Sequence, residues 1–194
     1  MNKILLTAAL AATFVAPAAV QAQAIPGAII AVADVDRVTA ECNACKTAVA
    51  ALRSQAQTLQ AREKALADPL AAEQKSIQTA IDALGGKEPD AALKTRVTQW
   101  QTRQQNAAQE LQRSQQQLQR NQQYIQQQVA AKLGPIYQQV MQRRGANLLV
   151  DTNVTLAMAN SVDVTNDVLA ALNAALPTIA TTAPAQTQTT PQSR

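Results

Sequence analysis

The sequence predicts an α+β fold: a small β-barrel-like body that forms when chains associate, and one long antiparallel coiled-coil hairpin of α-helices per chain. Three observations predict it. Apolar residues recur at alternating three- and four-residue spacings through most of the chain, as in helices packed against helices. A glycine-containing turn at residues 85–90 divides this pattern into two arms. Short β-branched runs lie before and after the arms.

Residues 1–24 are typical of a cleaved secretory signal. A basic start at Lys3 is followed by an apolar run and by small residues that end at Ala24, where cleavage is expected. A retained membrane anchor is the alternative, but the run is shorter than the ~20 apolar residues that a spanning helix needs. We therefore expect the mature chain to begin after Ala24 and to reside outside the cytoplasm.

The body is predicted from residues 28–42 and 145–177. A β-branched run in residues 28–38 predicts one strand, and residues 148–151 and 154–159 predict two more around a turn. Thr165 is expected to cap a final helix. A body of about fifty residues cannot bury enough apolar area to be stable alone, so we expect a homo-oligomer. Its predicted association residues are Ile30, Val32, Leu148, Val150 and Leu156.

Residues 43–144 predict the helical hairpin. Nine of the eleven seam positions between Val49 and Leu84 are apolar, and the spacing resumes after the turn. Two helices joined by a tight loop run antiparallel. Pro69 and Pro135 each remove a helical hydrogen bond, so we expect bends there; the alternative at Pro69 is that the first arm consists of two helices.

A glutamine-rich stretch, residues 109–129, could be a disordered polar tract or the exposed side of a helix. Leu111, Leu118 and Ile125 recur one heptad apart within it, and glutamine is a good helix former. We therefore place it on the second arm. The Thr-, Ala-, Gln- and Pro-rich residues 178–194 show no such spacing and predict a disordered tail.

The composition excludes much catalytic chemistry. The chain has no histidine, which rules out Ser-His-Asp and Cys-His nucleophile pairs and most zinc sites. Cys42 and Cys45 form a CxxC motif that could be a structural pair, a disulfide within or between subunits or, least favoured, a redox site. We predict no enzyme activity, no cofactor and no metal site.

The second arm carries an excess of positive charge. Between residues 94 and 144 there are eight basic side chains and a single acidic one, Glu110. The surface could be an ordinary solvated helix face, or it could attract acidic chains or anionic lipid headgroups. Nucleic acid is disfavoured as a partner by the predicted compartment.

The two ends of the chain carry a family resemblance. "IIAVADVDRV" near the mature start and "NLLVDTNVTLAMANSVDVTNDVLAALN" near the end resemble the corresponding segments of the Skp/OmpH family of periplasmic chaperones, including the entry to the last helix at residues 163–168. The resemblance spans roughly residues 28–177. In the arms the resemblance is limited to the arrangement of the helices. The CxxC motif, the glutamines and Pro69 depart from the family pattern.

The resemblance implies a trimer in the periplasm. In it, a β-barrel body carries three helical arms around a cavity that holds unfolded outer-membrane proteins, the clients of the chaperone, without ATP. The residues that we expect to contact clients, chosen for charge or aromatic character on the second arm, are Arg96, Trp100, Arg103, Arg113, Arg120 and Tyr124. The alternative function is a structural coiled-coil spacer or tether in the envelope, with a fixed partner and no clients.

Overall fold

The computed structural model describes residues 27–185. The predicted signal peptide at residues 1–24 and the end of the predicted tail, residues 186–194, lie outside this range. The elements in chain order are β1 (Ile30–Ala33), α1 (Val35–Glu41), α2 (Asn43–Asp82), α3 (Ala91–Arg144), β2 (Leu148–Asp151) and α4 (Thr165–Ala175). Two 3₁₀ turns, Thr152–Val154 and Asn160–Val162, lie between β2 and α4.

The helices α2 and α3 form the predicted antiparallel hairpin. They contain 40 and 54 residues, which at 1.5 Å per residue makes them roughly 60 Å and 80 Å long. The helix α2 continues through Pro69, so the first arm is one helix. The turn uses Gly85 and Gly86 at positive φ, and the Asp90 carboxylate accepts a 2.7 Å hydrogen bond from the Leu93 amide to cap α3.

The strands β1 and β2 pair in parallel, with Ile30 opposite Leu148 and Ala33 opposite Asp151. Parallel pairing follows because the whole helical hairpin connects the two strands and returns the chain to the same end of the sheet. On its other side, β1 forms a single bridge from Val32 to Asp163. The described part of the body therefore has two strands and a bridge.

The predicted third strand at residues 154–159 is wrong. The chain turns instead, because the Asp151 carboxylate accepts a 2.7 Å hydrogen bond from the Asn153 amide and the Thr155 hydroxyl donates to the Asp151 carbonyl. Short polar side chains that bond to nearby backbone compete with strand pairing in this way. The predicted turn between two strands is thus a 3₁₀ turn that leads into an irregular segment.

The predicted cap at Thr165 is also corrected. The N-cap position of α4 is Val164, which makes no side-chain cap bond. The buried Thr165 hydroxyl instead donates to the Asp163 carboxylate and accepts a 3.0 Å hydrogen bond from the Asp34 amide. The hydrogen bonds from Thr165 lower the pKa of Asp163. The side chain therefore joins the start of α4 to the start of α1.

The hydrophobic core lies at the base of the hairpin, where α1, α3, α4 and β1 meet. Its completely buried side chains include Val38, Val140, Val168 and Leu172. On the sheet, Ala31 and Ala33 pack into this core, with Leu149 against it. Since side chains alternate along a strand, the other face of the sheet points away from the core; this outer sheet face consists of Ile30, Val32, Leu148 and Val150. Of the predicted association residues on it, Val32 is only 3% exposed, because the chain at Asp163 and Val164 lies beside it, so it leaves little surface for another chain.

Candidate functional site

Three of the predicted contact residues of the second arm bind the first arm. The Trp100 indole N–H donates a 2.9 Å hydrogen bond to the Leu70 carbonyl, one residue after Pro69. Arg96 and Arg103 both form ion pairs with Glu73 on α2. These contacts hold the two helices together in the outer half of the hairpin. A role for the three side chains in client contact stays a prediction, and their present partners lie within the chain.

The other three predicted contact residues lie closer to the body. Arg113 is exposed, and no acidic side chain in residues 27–185 pairs with it. Arg120 donates to the Gln117 side-chain oxygen, while its Nε atom is buried with no acceptor among the described residues. Tyr124 is half-buried, and its carbonyl accepts a hydrogen bond from Gln128. Client contact by Arg113, Arg120 and Tyr124 likewise stays a prediction.

The positive charge of α3 is partly neutralised by carboxylates elsewhere in the chain. Lys94 pairs with Glu88, and Arg144 pairs with Asp167 at 2.6 Å. Glu110, the single acid of α3, accepts two hydrogen bonds from Arg62 of α2, and these lower its pKa. Within the described chain, the basic residues of α3 that have no carboxylate within ion-pair distance are Arg113, Arg120, Lys132 and Arg143.

A second polar site lies where the arm meets the end of the described chain. Residues 178–185, predicted to belong to a disordered tail, instead extend along the hairpin; we call them the tail segment. Ile179 packs against the core. Gln128 donates to the Ala180 carbonyl at 2.8 Å and accepts from the Ala180 amide at 3.0 Å. Asn121 accepts from the Ala183 amide at 2.9 Å. The prediction of disorder is therefore wrong for this segment.

The side chains that hold the tail segment form a connected amide groove, which we define as Gln55, Gln117, Asn121 and Gln128. Gln55 of α2 donates to the Thr181 carbonyl at 3.2 Å and accepts from Asn121 at 2.8 Å. Asn121 also accepts from Gln117 at 2.7 Å. The groove was not predicted from the sequence. Its one usable sequence signal is Asn121, a polar residue at a seam position of the heptad pattern, which the structure buries.

Cys42 and Cys45 are joined in a disulfide at the junction of α1 and α2. Both residues are buried in the core, and the Cys45 amide donates to the Cys42 sulfur. The backbone leaves the helical region at Cys42, with ψ of 128°, so α1 ends and α2 begins there. The disulfide thus closes the corner between the body and the first arm.

Reduction of this disulfide is expected to lower the free energy of unfolding by about 2 kcal/mol, since a four-residue loop restricts the unfolded chain by about that amount. Equilibrium unfolding in urea, with and without a thiol reductant, measures the difference. A chain with both Cys42→Ala and Cys45→Ala is the control, because its unfolding should not respond to reductant. Identical unfolding curves of the unaltered chain in both conditions would contradict the prediction.

Two absences among the described residues bear on the type of site. No group of three or more His, Cys, Asp or Glu side chains in residues 27–185 is placed to hold a metal ion. None of the helices in that part of the chain is long and apolar enough to cross a bilayer.

Comparisons with known proteins agree with this architecture. A crystal structure at 2.83 Å resolution of a proposed outer membrane chaperone (OmpH-like) from Caulobacter crescentus CB15 superposes with a TM-score of 0.68; it is 22% identical, and the match covers 86% of this chain and 95% of that one. No curated protein matches the chain significantly. The family described as Outer membrane protein (OmpH-like) matches residues 29–172. The resemblance inferred from the two chain ends is confirmed: the chain belongs to the OmpH-like family.

Proposed function

We propose that the protein is an ATP-independent holdase chaperone of the periplasm, which binds unfolded outer-membrane β-barrel proteins and prevents their aggregation in transit. One observation carries the proposal: two helices of 40 and 54 residues project from a small body in a chain of the OmpH-like family. Such arms provide a large surface for many weak contacts, and many weak contacts together can hold an unfolded chain without a deep pocket.

The proposed assembly is a homotrimer built through the body, with the chain exported and residues 1–24 removed. The outer sheet face supports it, because Ile30 and Leu148 are 46% and 45% exposed although they are large and apolar. Val154, at the end of the first 3₁₀ turn, and Leu156, just after it, are more exposed still. Apolar surface and open strand edges of this kind are typical of contacts between chains. Association into a shared barrel would cover them.

The arm surface offers clients a polar and moderately basic contact. Exposed glutamines of α3 can form hydrogen bonds without carrying charge, and Arg113, Arg120, Lys132 and Arg143 lack carboxylate partners within the described chain. Long-range electrostatic attraction by these basic side chains speeds the encounter with acidic clients. Because each contact is weak, a client can be released without nucleotide. The same four side chains could contact anionic lipid headgroups at a membrane surface.

The direct test is aggregation of an outer-membrane porin diluted from urea, followed by light scattering. The purified mature chain is expected to suppress scattering at about one assembly per porin chain. Unchanged scattering at several-fold molar excess would overturn the proposal. A pulldown from the periplasm separates it from the tether alternative: many unrelated β-barrel proteins support a chaperone, whereas one stoichiometric partner supports a tether.

Two pairs of arginines allow a matched comparison of client affinity. The change Arg113→Gln with Arg120→Gln removes charges that have no carboxylate partner in the described chain, so client affinity at low salt is expected to fall about fivefold. Arg96→Gln with Arg103→Gln removes the same charge but breaks ion pairs within the arm. The second pair should lower arm stability as well as affinity. Equal affinity of the Arg113/Arg120 variant and the unaltered chain would remove these side chains from the client surface.

A further inference from the structure

Beyond the packing of Ile179 against the core, the arm holds the tail segment through hydrogen bonds to its backbone. Gln128 bonds both the amide and the carbonyl of Ala180, Gln55 bonds the Thr181 carbonyl, and Asn121 bonds the Ala183 amide. Gln117 makes a longer contact, 3.5 Å, to the Ala183 carbonyl. Every hydrogen bond between the amide groove and the tail segment therefore uses an atom that nearly all residues share. Recognition of this kind does not depend on the sequence that is bound.

The tail segment also advances along α3 in step with its heptads. Gln128 binds Ala180, and Asn121, one heptad nearer the tip, binds Ala183. The seven helical residues from Asn121 to Gln128 span about 10.5 Å at 1.5 Å each, and the tail segment bends at Thr182 between the two contacts. One heptad of α3 thus corresponds to three residues of bound chain. The next heptad position toward the tip of the arm is Ser114, whose hydroxyl could continue the ladder.

Space for a longer ligand lies in that direction. A cavity of about 470 Å³ opens beside Thr182, between α2 and α3. Its other walls include Gln55, Arg62, Ser114, Leu118 and Asn121. The cavity thus shares Gln55, Gln117 and Asn121 with the amide groove and extends it beyond the tail segment. Its lining combines apolar surface with hydroxyl and amide groups and with the Arg62 guanidinium, which is paired with Glu110. This lining suits an extended polypeptide with small side chains.

We propose that the amide groove is a binding site for extended polypeptide backbone, which the tail segment occupies and which client segments take by displacing it. The identity of the displacing polypeptide rests on the proposed holdase function; docking of the tail segment does not. Because the tail segment is part of the same chain, its effective concentration at the groove is high and of the order of mM. It therefore weakens client binding, and a client strand must make additional contacts in the cavity to replace it.

Hydrogen exchange of the full mature chain tests the docking. The amides of Ala180 and Ala183 are expected to be protected, and Gln128→Ala should raise exchange at Ala180 about tenfold, since it removes both bonds to that residue. Gln116→Ala is the matched control, because Gln116 lies exposed on the same helix. Equal exchange at Ala180 in the two variants would overturn the docking of the tail segment.

Client binding tests the competition. A chain that ends at Ile179 keeps the core contact of that residue but lacks the competing strand, so its affinity for unfolded porin is expected to rise about threefold to tenfold. Adding Gln128→Ala to this shortened chain should remove most of the gain. Unchanged affinity on shortening, or a gain that Gln128→Ala leaves intact, would overturn the inference. If neither full nor shortened chain binds porin, the proposed function fails, while the exchange experiment still decides the docking.

Discussion

Replacing Leu148 by lysine is expected to convert the proposed assembly into single chains. Leu148 lies opposite Ile30 on the outer sheet face, and both side chains are about half exposed in the single chain. If association covers this face, a lysine there places an unpaired charge in an apolar contact, at a cost of about 3–5 kcal/mol per chain. Since 1.4 kcal/mol is a factor of ten, association should weaken by more than ~100-fold.

Light scattering coupled to size-exclusion chromatography measures the mass of the assembly directly. The control is Ile81→Lys, which places the same charge on an exposed apolar residue near the tip of the hairpin, far from the body. That variant should keep the mass of the unaltered protein. A Leu148→Lys protein that elutes with unchanged mass would show that the outer sheet face takes no part in association.

The hairpin could be predicted from the sequence because its determinants are local and repeated. Each apolar seam residue specifies the same helical period as its neighbours, and the turn is specified by Gly85, Gly86 and Asp90, whose φ values and cap bond the structure shows directly. The sequence of the body has no such repeated pattern. Residues 154–159 alternate in hydrophobicity like a strand, but Asp151 and Thr155 satisfy the backbone in a turn instead.

The functional surface was harder to predict than the fold. Arg96 and Arg103 are basic residues in a basic helix, and only the antiparallel register reveals that Glu73, far away in the sequence, lies beside both. The tail segment was missed for a related reason. Its composition lacks a helical or strand period, and its order comes from side chains of α2 and α3 that the folded hairpin brings together. Neither arrangement has a local signature.

The change Leu172→Ala is expected to lower the free energy of unfolding by about 2–5 kcal/mol, the usual cost of removing a large side chain from a packed core. Leu172 is 0% exposed, and it belongs to the core in which α4 packs against α1, β1 and the base of α3. Urea unfolding measures the loss. It should be done in the Leu148→Lys background, since association would otherwise add its own contribution to apparent stability.

In that background, Leu156→Ala is a matched control. It deletes the same atoms from a fully exposed side chain, so the free energy of unfolding should change by less than ~0.5 kcal/mol.

Trp100, the single tryptophan of the chain, lies in the outer half of the hairpin and reports on the arm, while circular dichroism reports on all helices. The arm buries few side chains beyond the core, among them Ile77, Ala107 and Ile125.

A helix pair with so narrow a seam depends on the body for its stability. The unfolding transition reported by Trp100 and the one reported by circular dichroism should therefore shift together when Leu172 is replaced, although Leu172 lies far from Trp100 along the arm. An unchanged Trp100 transition beside a shifted dichroism transition would instead show that the arm unfolds as an independent unit. An arm of that kind could open without the body, and release of the proposed clients would then need no change in the proposed assembly. If both transitions shift together, packing in the core around Leu172 determines how easily the arm unfolds.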